Sequence, residues 1–374
     1  MSRKYGKEIE VSINPLSYSL GLIGESGIGK TTIIKEYCEK LAGHDGYIML
    51  DIGKEDGHRA INGIVSAEIP DWDTFIDFCD DVIENKTTDY KDLKVIGLDT
   101  YDQLVELAEA EVIRMHNRDN PDKRANSINA AFGGFGKGSD KADEIILNKL
   151  WELKKVGVQF IMIGHVKNRE VNDVITGDSY SIVTTNMTER HFNAIKTKLQ
   201  FLGVAYIDRK IIKEKTGKKD IKTHKDILKN KVSEEARRIS FRDDNYSIDS
   251  KSRFADIVDN IPMDVDELIK AINDAILAEH NKGTKTLEDT KKDDEDKEKE
   301  TAKFAAKYAE KKKETKVDTD VNKKLIATIQ KKFTVQSADV KKQVKTIMVD
   351  NGFSSFRDEN IPTQALQKIV DILK

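Results

Sequence analysis

The sequence contains few cysteines, few prolines and no long apolar run. Its 374 residues include five prolines and two cysteines, Cys38 and Cys79. Because both cysteines stand among apolar neighbours, we expect two buried thiols and neither a disulfide nor a metal site. The lack of an apolar run that could cross a bilayer, together with the charged residues 1–10, argues against a membrane span or a signal peptide. We therefore expect a soluble, cytoplasmic protein.

Charge is plentiful but almost balanced. Charged residues make up 34% of the chain and leave a formal net charge of -3, so composition alone indicates no polyanionic partner. Much of this charge lies in residues 281–317, where lysines alternate with acidic residues and almost nothing can be buried. We expect a disordered or fraying helical linker there, between a core at 1–280 and a small domain at 318–374.

Short apolar runs alternate with amphipathic segments through the core. We predict buried strands at 19–23, 47–51, 93–99 and 158–165, and helices directly after the first strand and at 71–83, 104–112, 145–155 and 264–278. This alternation is typical of an α/β fold with a mainly parallel central sheet flanked by helices. Two more strands are predicted at 201–212 and 237–242, joined by an exposed lysine-rich hairpin tip at 213–231. The polar segments 117–140 and 168–190 are predicted to be loops. Apolar residues at helical spacing in 318–374 predict a small domain of three short helices.

Residues 24–31, with the sequence GESGIGKT, fit the phosphate-loop pattern G-x-x-x-x-G-K-[ST] between a predicted strand and a predicted helix. Glycines let backbone N–H groups surround phosphate oxygens, and the start of the helix presents its positive end to the same anion. Lys30 is expected to reach the terminal phosphates, and the Thr31 hydroxyl to ligate Mg²⁺. The predicted nucleotide contacts are Gly24, Glu25, Ser26, Gly27, Ile28, Gly29, Lys30, Thr31 and Thr32.

Further polar residues stand at or just after the ends of three predicted strands, where ligands of parallel sheets bind. Asp99 ends an apolar strand and is predicted to organise Mg²⁺. The carboxylate that activates water has two candidates, Glu55, which lies a few residues beyond a strand end, and Asp51 as the alternative. Glu55 is equally compatible with a solvated loop acid. His165 ends the strand predicted beside the phosphate-loop strand, where it either contacts the γ-phosphate or is satisfied by the backbone.

With these motifs in place, the chain resembles the RecA-like ATPases, and it looks closest to the phage nucleotide-binding proteins of the Sak group, which are tied to single-strand annealing and recombination. The resemblance covers residues 19–278 and rests on the phosphate loop, on 98–100 (LDT), on 163–167 (IGHVK), on 238–242 (RISFR) and on 251–254 (KSRF). It implies a RecA-like core, ATP as the nucleotide and a homo-oligomeric ring or filament. It also suggests Lys251 or Arg253 as a finger that reaches the γ-phosphate of a neighbouring subunit, the alternative being an exposed basic pair.

The resemblance further implies that single-stranded DNA binds on loops after the central strands. The candidates for stacking on bases are Phe132 and Phe135, and the candidates for neutralising phosphates are Lys137, Lys167, Arg169 and Arg190. Phenylalanines flanked by glycine also commonly pack back onto their own domain. The segment 318–374 carries lysines without a binding motif, so DNA and a partner such as a single-strand-binding or replication protein both remain open.

The sequence therefore predicts a Mg²⁺-dependent ATPase that is stimulated by single-stranded DNA and acts in phage-type recombination or annealing, inside a bacterial host if the gene belongs to a phage. One alternative is a nucleotide-gated switch with little turnover, which recruits a partner through 318–374. A DNA motor is a third possibility, but the sequence has no recognisable helicase motif or nuclease domain.

Overall fold

The computed structural model describes residues 6, 9–54, 57–172, 177, 179–219, 226–242, 251–315, 319–333, 336–356 and 361–373. Backbone contacts divide the chain into two compact units, Met1–Cys79 with Asp92–Lys299, and Asp80–Lys91 with Glu300–Lys374. Within the described ranges, no helix is both long enough and apolar enough to cross a bilayer.

The first unit is an α/β structure built on one sheet. Its strands are β1 (Leu20–Gly24), β2 (Tyr47–Ile52), β3 (Ser66–Ile69), β4 (Val95–Asp99), β5 (Gln159–Asn172), β6 (Ser179–Thr185), β7 (Phe201–Lys219), β8 (Asp226–Ser240), β9 (Lys251–Ser252) and β10 (Asn260–Pro262). The helices of the chain are α1 (Lys30–Ala42), α2 (Trp72–Glu84), α3 (Tyr101–Asp119), α4 (Lys137–Lys155), α5 (Glu189–Lys196), α6 (Val265–His280), α7 (Leu287–Thr315), α8 (Thr319–Phe333), α9 (Ala338–Asp350) and α10 (Thr363–Ile372).

Six strands pair in parallel in the order β7-β1-β5-β4-β2-β3. Beyond β7 the sheet continues through β8 and β10 by antiparallel pairing, while β6 pairs with β5 and β9 with β7. The predicted α/β fold with a mainly parallel sheet is confirmed. The prediction that the strand of His165 lies beside the phosphate-loop strand is also confirmed, because β5 separates β1 from β4 and Gly24 lies opposite His165.

Helices cover both faces of this sheet. On one face, Ile34 and Tyr37 of α1 and Ile272 of α6 share a core with Leu22 and Ile163 of the strands. On the other face, α3 and α4 pack against each other and against β5. Both predicted thiols are buried inside the structure and neither forms a disulfide. The two layers hold the carboxyl ends of the strands in fixed positions.

The loop predicted at 168–190 is wrong for most of its length, because β5 continues past His165 and forms an antiparallel ribbon with β6. The register runs from Val166 opposite Thr185 to Asn172 opposite Ser179. A two-stranded ribbon forms its bonds through the backbone and needs few apolar anchors, so a search for buried residues does not detect it. The end of the predicted loop is also ordered, since α5 begins at Glu189 and buries Phe192.

The segment 117–140 also contains more regular structure than its glycines suggest. Helix α3 extends to Asp119, a 3-10 helix covers Ile128–Gly133, and α4 begins at Lys137 rather than at residue 145. The first turns of α4 bury Ser139 and Asp143, which are polar. Apolar periodicity therefore fails to mark the start of a helix that polar contacts hold in place.

Two other predictions need adjustment. The strands predicted on either side of 213–231 pair antiparallel as β7 and β8, are longer than expected, and shift register twice, while residues 220–225 lie outside the described part of the chain. The acidic and basic segment predicted as a disordered or fraying helical linker is helical over Leu287–Thr315, with Ala305 and Ala309 buried. Strand β3, which the sequence analysis missed, pairs with β2 at the edge of the sheet.

The three helices predicted after residue 318 are confirmed as α8, α9 and α10. They surround their own core, which contains Ile329, Val344, Phe353, Leu366 and Ile369. The N-terminus of α9 is capped by the Ser337 side chain, which accepts a hydrogen bond from the backbone of Val340. The domain boundaries drawn from composition at 280 and 317 stay a prediction.

Candidate functional site

The loop at 24–31 has the conformation of an anion cradle. It leaves β1 at Gly24 and enters α1 at Lys30, and Gly27 and Gly29 adopt positive φ angles of 74° and 109°. Only glycine adopts such angles without strain, so both positions require it. Gly29 precedes α1 without a side-chain cap, which leaves the first amides of the helix to face an incoming anion.

Lys30 is held inside this loop by main-chain carbonyl groups. Its side chain is only 6% exposed, and its ammonium group donates hydrogen bonds to the carbonyl oxygens of Gly24 at 3.0 Å and Glu25 at 2.9 Å. A buried ammonium beside the positive end of α1 makes the interior of the loop strongly cationic. The loop therefore suits a polyphosphate better than a neutral ligand.

Asp99 lies at the centre of the site, at the end of β4. Its Oδ2 atom accepts a hydrogen bond of 2.6 Å from the Thr31 hydroxyl at the start of α1. The two residues come from distant parts of the sequence, and the sheet brings them together because β4 ends at the same edge as β1. A hydroxyl and a carboxylate are oxygen ligands of the kind that Mg²⁺ prefers.

His58 completes this network and was missed by the sequence analysis. It is buried in a 3-10 helix, Gly57–Ala60, and its Nε2 atom lies 3.0 Å from the same Asp99 oxygen. Since a carboxylate accepts, Nε2–H donates, and Nδ1 lies 2.6 Å from the Ser66 hydroxyl of β3. Only carboxylates after β2 were predicted to activate water, although this histidine stands three residues after Glu55.

The choice between Asp51 and Glu55 is not resolved by the geometry. Asp51 is buried near the end of β2, directly opposite Asp99 in the sheet register. Glu55 lies outside the described residues. The role of each as the water-activating carboxylate therefore stays a prediction.

His165 is held by a carboxylate that the sequence analysis did not identify. Its Nδ1 atom lies 2.9 Å from Asp102 Oδ2, and its backbone N–H donates to Asp102 Oδ1 at 3.3 Å. Burial raises the pKa of Asp102, but the hydrogen bond and the charge of His165 outweigh it, so the net shift is downward. Asp102 thus fixes the orientation of the ring at the level of Gly24.

The two finger candidates lie near the amino ends of the parallel strands, whereas the phosphate loop lies at their carboxyl ends. Strand β9 pairs with the start of β7, where Lys251 lies opposite Leu202, whereas the phosphate loop begins at the level of Ala205. The Arg253 guanidinium donates to the Thr197 carbonyl at 2.7 Å, and of Lys251 only the backbone is described. A finger role for either residue therefore requires the phosphates of another subunit.

The two phenylalanines predicted to bind DNA differ in their surroundings. The ring of Phe132 packs edge-on against His116, with 5.3 Å between ring centroids, and its backbone N–H donates to His116 Nδ1 at 3.2 Å. Phe135 is 96% exposed and has a positive φ of 54° between two glycines. Phe132 thus packs back onto its own unit, whereas Phe135 presents its ring to solvent.

The structure brings Arg190 next to the segment that carries Phe135. The Arg190 guanidinium donates to the Gly136 carbonyl at 3.2 Å and to Asp140 Oδ1 at 2.7 Å. A Cβ atom at Gly136 would overlap this guanidinium, so the glycine permits the close approach. Lys137 is exposed at the start of α4 in the same region.

The other two basic candidates lie on the β5–β6 ribbon. Lys167 is exposed and donates to the Asn186 carbonyl at 3.2 Å. Arg169 belongs to β5, but its side chain is outside the described part of the chain.

A buried ion-pair cluster fixes the helix that carries Arg190. His191 is buried between two carboxylates, with Nδ1 at 2.7 Å from Asp143 of α4 and Nε2 at 2.9 Å from Glu109 of α3. Burial lowers the pKa of His191, but the hydrogen bonds and charges of the two carboxylates outweigh it and raise the pKa to about 9. The imidazolium therefore joins α5 to α3 and α4 at neutral pH.

The parallel sheet, the glycine loop ending at Lys30 and the Thr31–Asp99 contact define a phosphate-loop NTPase core. The chain matches the family model described as AAA domain over residues 17–254, which is more than half of its length. It therefore belongs to the AAA domain family, and this membership supports nucleotide binding by the chain. A search among curated proteins gave no match.

Proposed function

We propose that this AAA-domain protein hydrolyses ATP in a Mg²⁺-dependent reaction and acts on single-stranded DNA in recombination or annealing of the phage type. The observation that carries the hydrolytic part is the 2.6 Å hydrogen bond from Thr31 to Asp99 beside the buried Lys30. Together these residues supply the three functions that a phosphate-loop NTPase needs, namely phosphate binding, metal binding and placement of the metal's water shell.

The residues at the site fit Mg²⁺. Among the described residues, no group of three or more His, Cys, Asp or Glu side chains is arranged to hold a metal. Mg²⁺ does not require such a group, because it commonly binds through one or two carboxylates and through the phosphates of the substrate. Thr31 and Asp99 would hold it, and the ion would supply neutralisation of the negative charge on the phosphates.

The remaining side chains have distinct roles in this proposal. Lys30 exchanges its two loop carbonyls for phosphate oxygens, and Glu55 or Asp51 accepts a proton from the attacking water. His58 keeps Asp99 oriented through Nε2, and Asp102 holds His165 within β5, opposite Gly24. His165 can then report the state of the phosphates to the β5–β6 ribbon, in the manner of an NTPase switch.

The DNA part of the proposal rests on the exposed ring of Phe135 and on the basic residues beside it. Base stacking on an exposed aromatic ring is tolerant of sequence. Lys137 lies two residues after Phe135 in the chain, and the Arg190 guanidinium bonds the Gly136 carbonyl, so two cationic groups flank the ring. Asp140 partly neutralises Arg190, with 2.7 Å between the charged atoms. The affinity should therefore be moderate and salt-dependent.

The first experiment is a measurement of phosphate release from ATP with Mg²⁺, with and without single-stranded DNA, at low and moderate salt. We expect turnover that DNA stimulates and that salt weakens. Lys30→Ala is the control for contaminating ATPase, and full hydrolysis by this variant would remove the claim.

We also propose that the active form is a homo-oligomeric ring or filament, with Arg253 or Lys251 as a finger in trans. The support is that both residues lie at the amino ends of the parallel strands and the phosphate loop lies at the carboxyl ends. This arrangement suits a head-to-tail interface. Mixing Arg253→Ala with Lys30→Ala should restore part of the activity, because some interfaces would combine an intact loop with an intact finger. Mixtures no more active than either variant, at concentrations where the wild type assembles, would count against it.

The alternative is a nucleotide-gated switch with little turnover that recruits a replication or recombination partner through 318–374. It is supported by the separate core of α8, α9 and α10, and by Val349, which is 76% exposed on α9. Slow hydrolysis unaffected by DNA, together with nucleotide-dependent capture of a single-strand-binding protein that is lost when 318–374 is removed, would favour this alternative.

A further inference from the structure

Arg237 of β8 lies at the end of the sheet where the parallel strands finish and the phosphate loop begins. In the register, Gly24 lies opposite Ala205 of β7, and Arg237 lies opposite Ile207, two residues further along β7. Arg237 therefore stands just beyond the level at which β1 ends. This residue belongs to none of the motifs used to predict the nucleotide site.

The side chain of Arg237 points toward the start of α1. Residues two apart on a strand share a face, and Ile239 belongs to the core that contains Ile33 and Ile34 of α1. The Arg237 Nη1 atom lies 3.5 Å from the position that a Cβ atom would occupy at Gly29. The guanidinium therefore lies beside the phosphate loop, close to Gly29.

A backbone contact supports this arrangement from the other side. The Met263 N–H donates to the Arg237 carbonyl at 2.9 Å, which continues the pairing of β8 with β10. The Met263 methyl group lies 3.8 Å from the same Cβ position at Gly29. The backbone of Arg237 is therefore fixed between two strands, while its head group is exposed.

The Arg237 side chain has different polar contacts from those of two other arginines on the same ribbon. Arg209 pairs with Glu235 at 2.9 Å, and Arg238 donates to Asn260. In the part of the chain that the structure describes, no hydrogen bond or ion pair holds the Arg237 guanidinium. A guanidinium at the N-terminus of a helix is repelled by the positive end of the helix dipole, and an anion bound there would relieve this repulsion.

We propose that Arg237 contacts a phosphate of the nucleotide bound in its own subunit, and so acts as a phosphate-positioning residue. This inference rests on the proposed function and extends it to a residue outside the phosphate loop. The ligand class is a nucleoside di- or triphosphate, because a guanidinium matches phosphate oxygens with two N–H groups. A cationic group from the antiparallel half of the sheet would thus face the phosphate chain from the side opposite Asp99.

The test is a displacement assay in which ATP, ADP, AMP and adenosine compete with a fluorescent ATP analogue on the full-length protein. For Arg237→Ala we expect about tenfold or more weaker binding of ATP and ADP, with adenosine unchanged. Arg237→Lys should recover part of the affinity, because it retains the charge but not the planar fork. Arg209→Ala removes the same charge from the same ribbon and should bind like the wild type.

Three outcomes would overturn the inference. Arg237→Ala could bind ATP as well as Arg209→Ala does, or it could lose adenosine and ATP equally, which would indicate a base contact or a folding defect. Recovery of hydrolysis when Arg237→Ala is mixed with Lys30→Ala would show that the arginine acts in trans. If Lys30→Ala still binds ATP more weakly than the wild type, any of these outcomes contradicts the role of Arg237 and leaves the proposed function intact. Unchanged ATP binding in Lys30→Ala would instead contradict the proposed function, and the inference with it.

Discussion

The phosphate-loop region around Asp99 and the surface around Phe135 differ in how far their side chains are exposed to solvent. Around Asp99, the hydroxyl, imidazole and carboxylate groups are buried and bonded to one another at 2.6 and 3.0 Å. Around Phe135, an aromatic ring and several charges are presented to solvent. A small anion and its metal gain from a site whose dipoles are already fixed, whereas a flexible polymer needs accessible rings and charges.

Lys30→Ala is expected to have the largest effect, and this effect should be confined to the phosphate-loop region. The variant removes the only buried ammonium among the described residues of the loop, so we expect hydrolysis to fall by about a hundredfold or more. Phosphate release under saturating ATP measures the effect. Binding of single-stranded DNA without nucleotide should be nearly unchanged, and a parallel loss of both would mean that the two regions are not separate.

His191→Ala tests whether the surface around Phe135 and Arg190 depends on a buried framework. The variant leaves Asp143 and Glu109 facing each other without a cation, and we expect a loss of about 3 kcal/mol in the free energy of unfolding. Urea unfolding measures it. His44→Ala is the matched control, because His44 is exposed and its contact with Glu39 is worth at most about 1 kcal/mol.

The same histidine predicts a pH dependence. Its pKa rises from 6.5 in the unfolded chain to about 9 in the folded protein. Its stabilising contribution is therefore complete below pH 6.5 and is lost as the pH rises through about 9. Unfolding measured at several pH values should show this decline in the wild type. If His191→Ala shows the same decline over that range, another group is responsible.

His58→Gln addresses the network around Asp99. A glutamine cannot reproduce both imidazole contacts, so we expect the affinity for Mg²⁺-nucleotide or the rate to fall by about ten- to a hundredfold, as is typical when a partner of a metal-binding group is removed. Titration of Mg²⁺ at fixed ATP separates the two effects. A variant that matches the wild type in both would show that Asp99 is oriented without His58.

Phe135→Ala is expected to have the smallest effect, and it acts on DNA alone. Loss of one stacking contact should weaken binding of single-stranded DNA by about tenfold, with unchanged hydrolysis in the absence of DNA. Trp151→Ala provides the control, because Trp151 is an exposed aromatic residue on the same unit but outside the predicted loops. Equal losses in both variants would indicate nonspecific apolar binding.

Much of the nucleotide edge was predictable because it depends on local patterns. A glycine loop between a strand and a helix indicates where the phosphates bind, and an apolar run ending in an acid indicates Asp99. His58, Asp102 and Arg237 were not predictable in this way. Each of them contacts a residue that is distant in the sequence, namely Asp99, His165 and Gly29 respectively.

The sequence by itself determined the phosphate loop, the alternation of strands and helices, and the three apolar helices after residue 318. These features depend on backbone conformation and on periodicity, which are properties of short segments. Only the tertiary structure decided which polar groups meet. The order β7-β1-β5-β4-β2 sets Thr31 against Asp99, and the ribbon of β7 and β8 places Arg237 beside Gly29. Such contacts depend on strand order and register, and no local pattern encodes them.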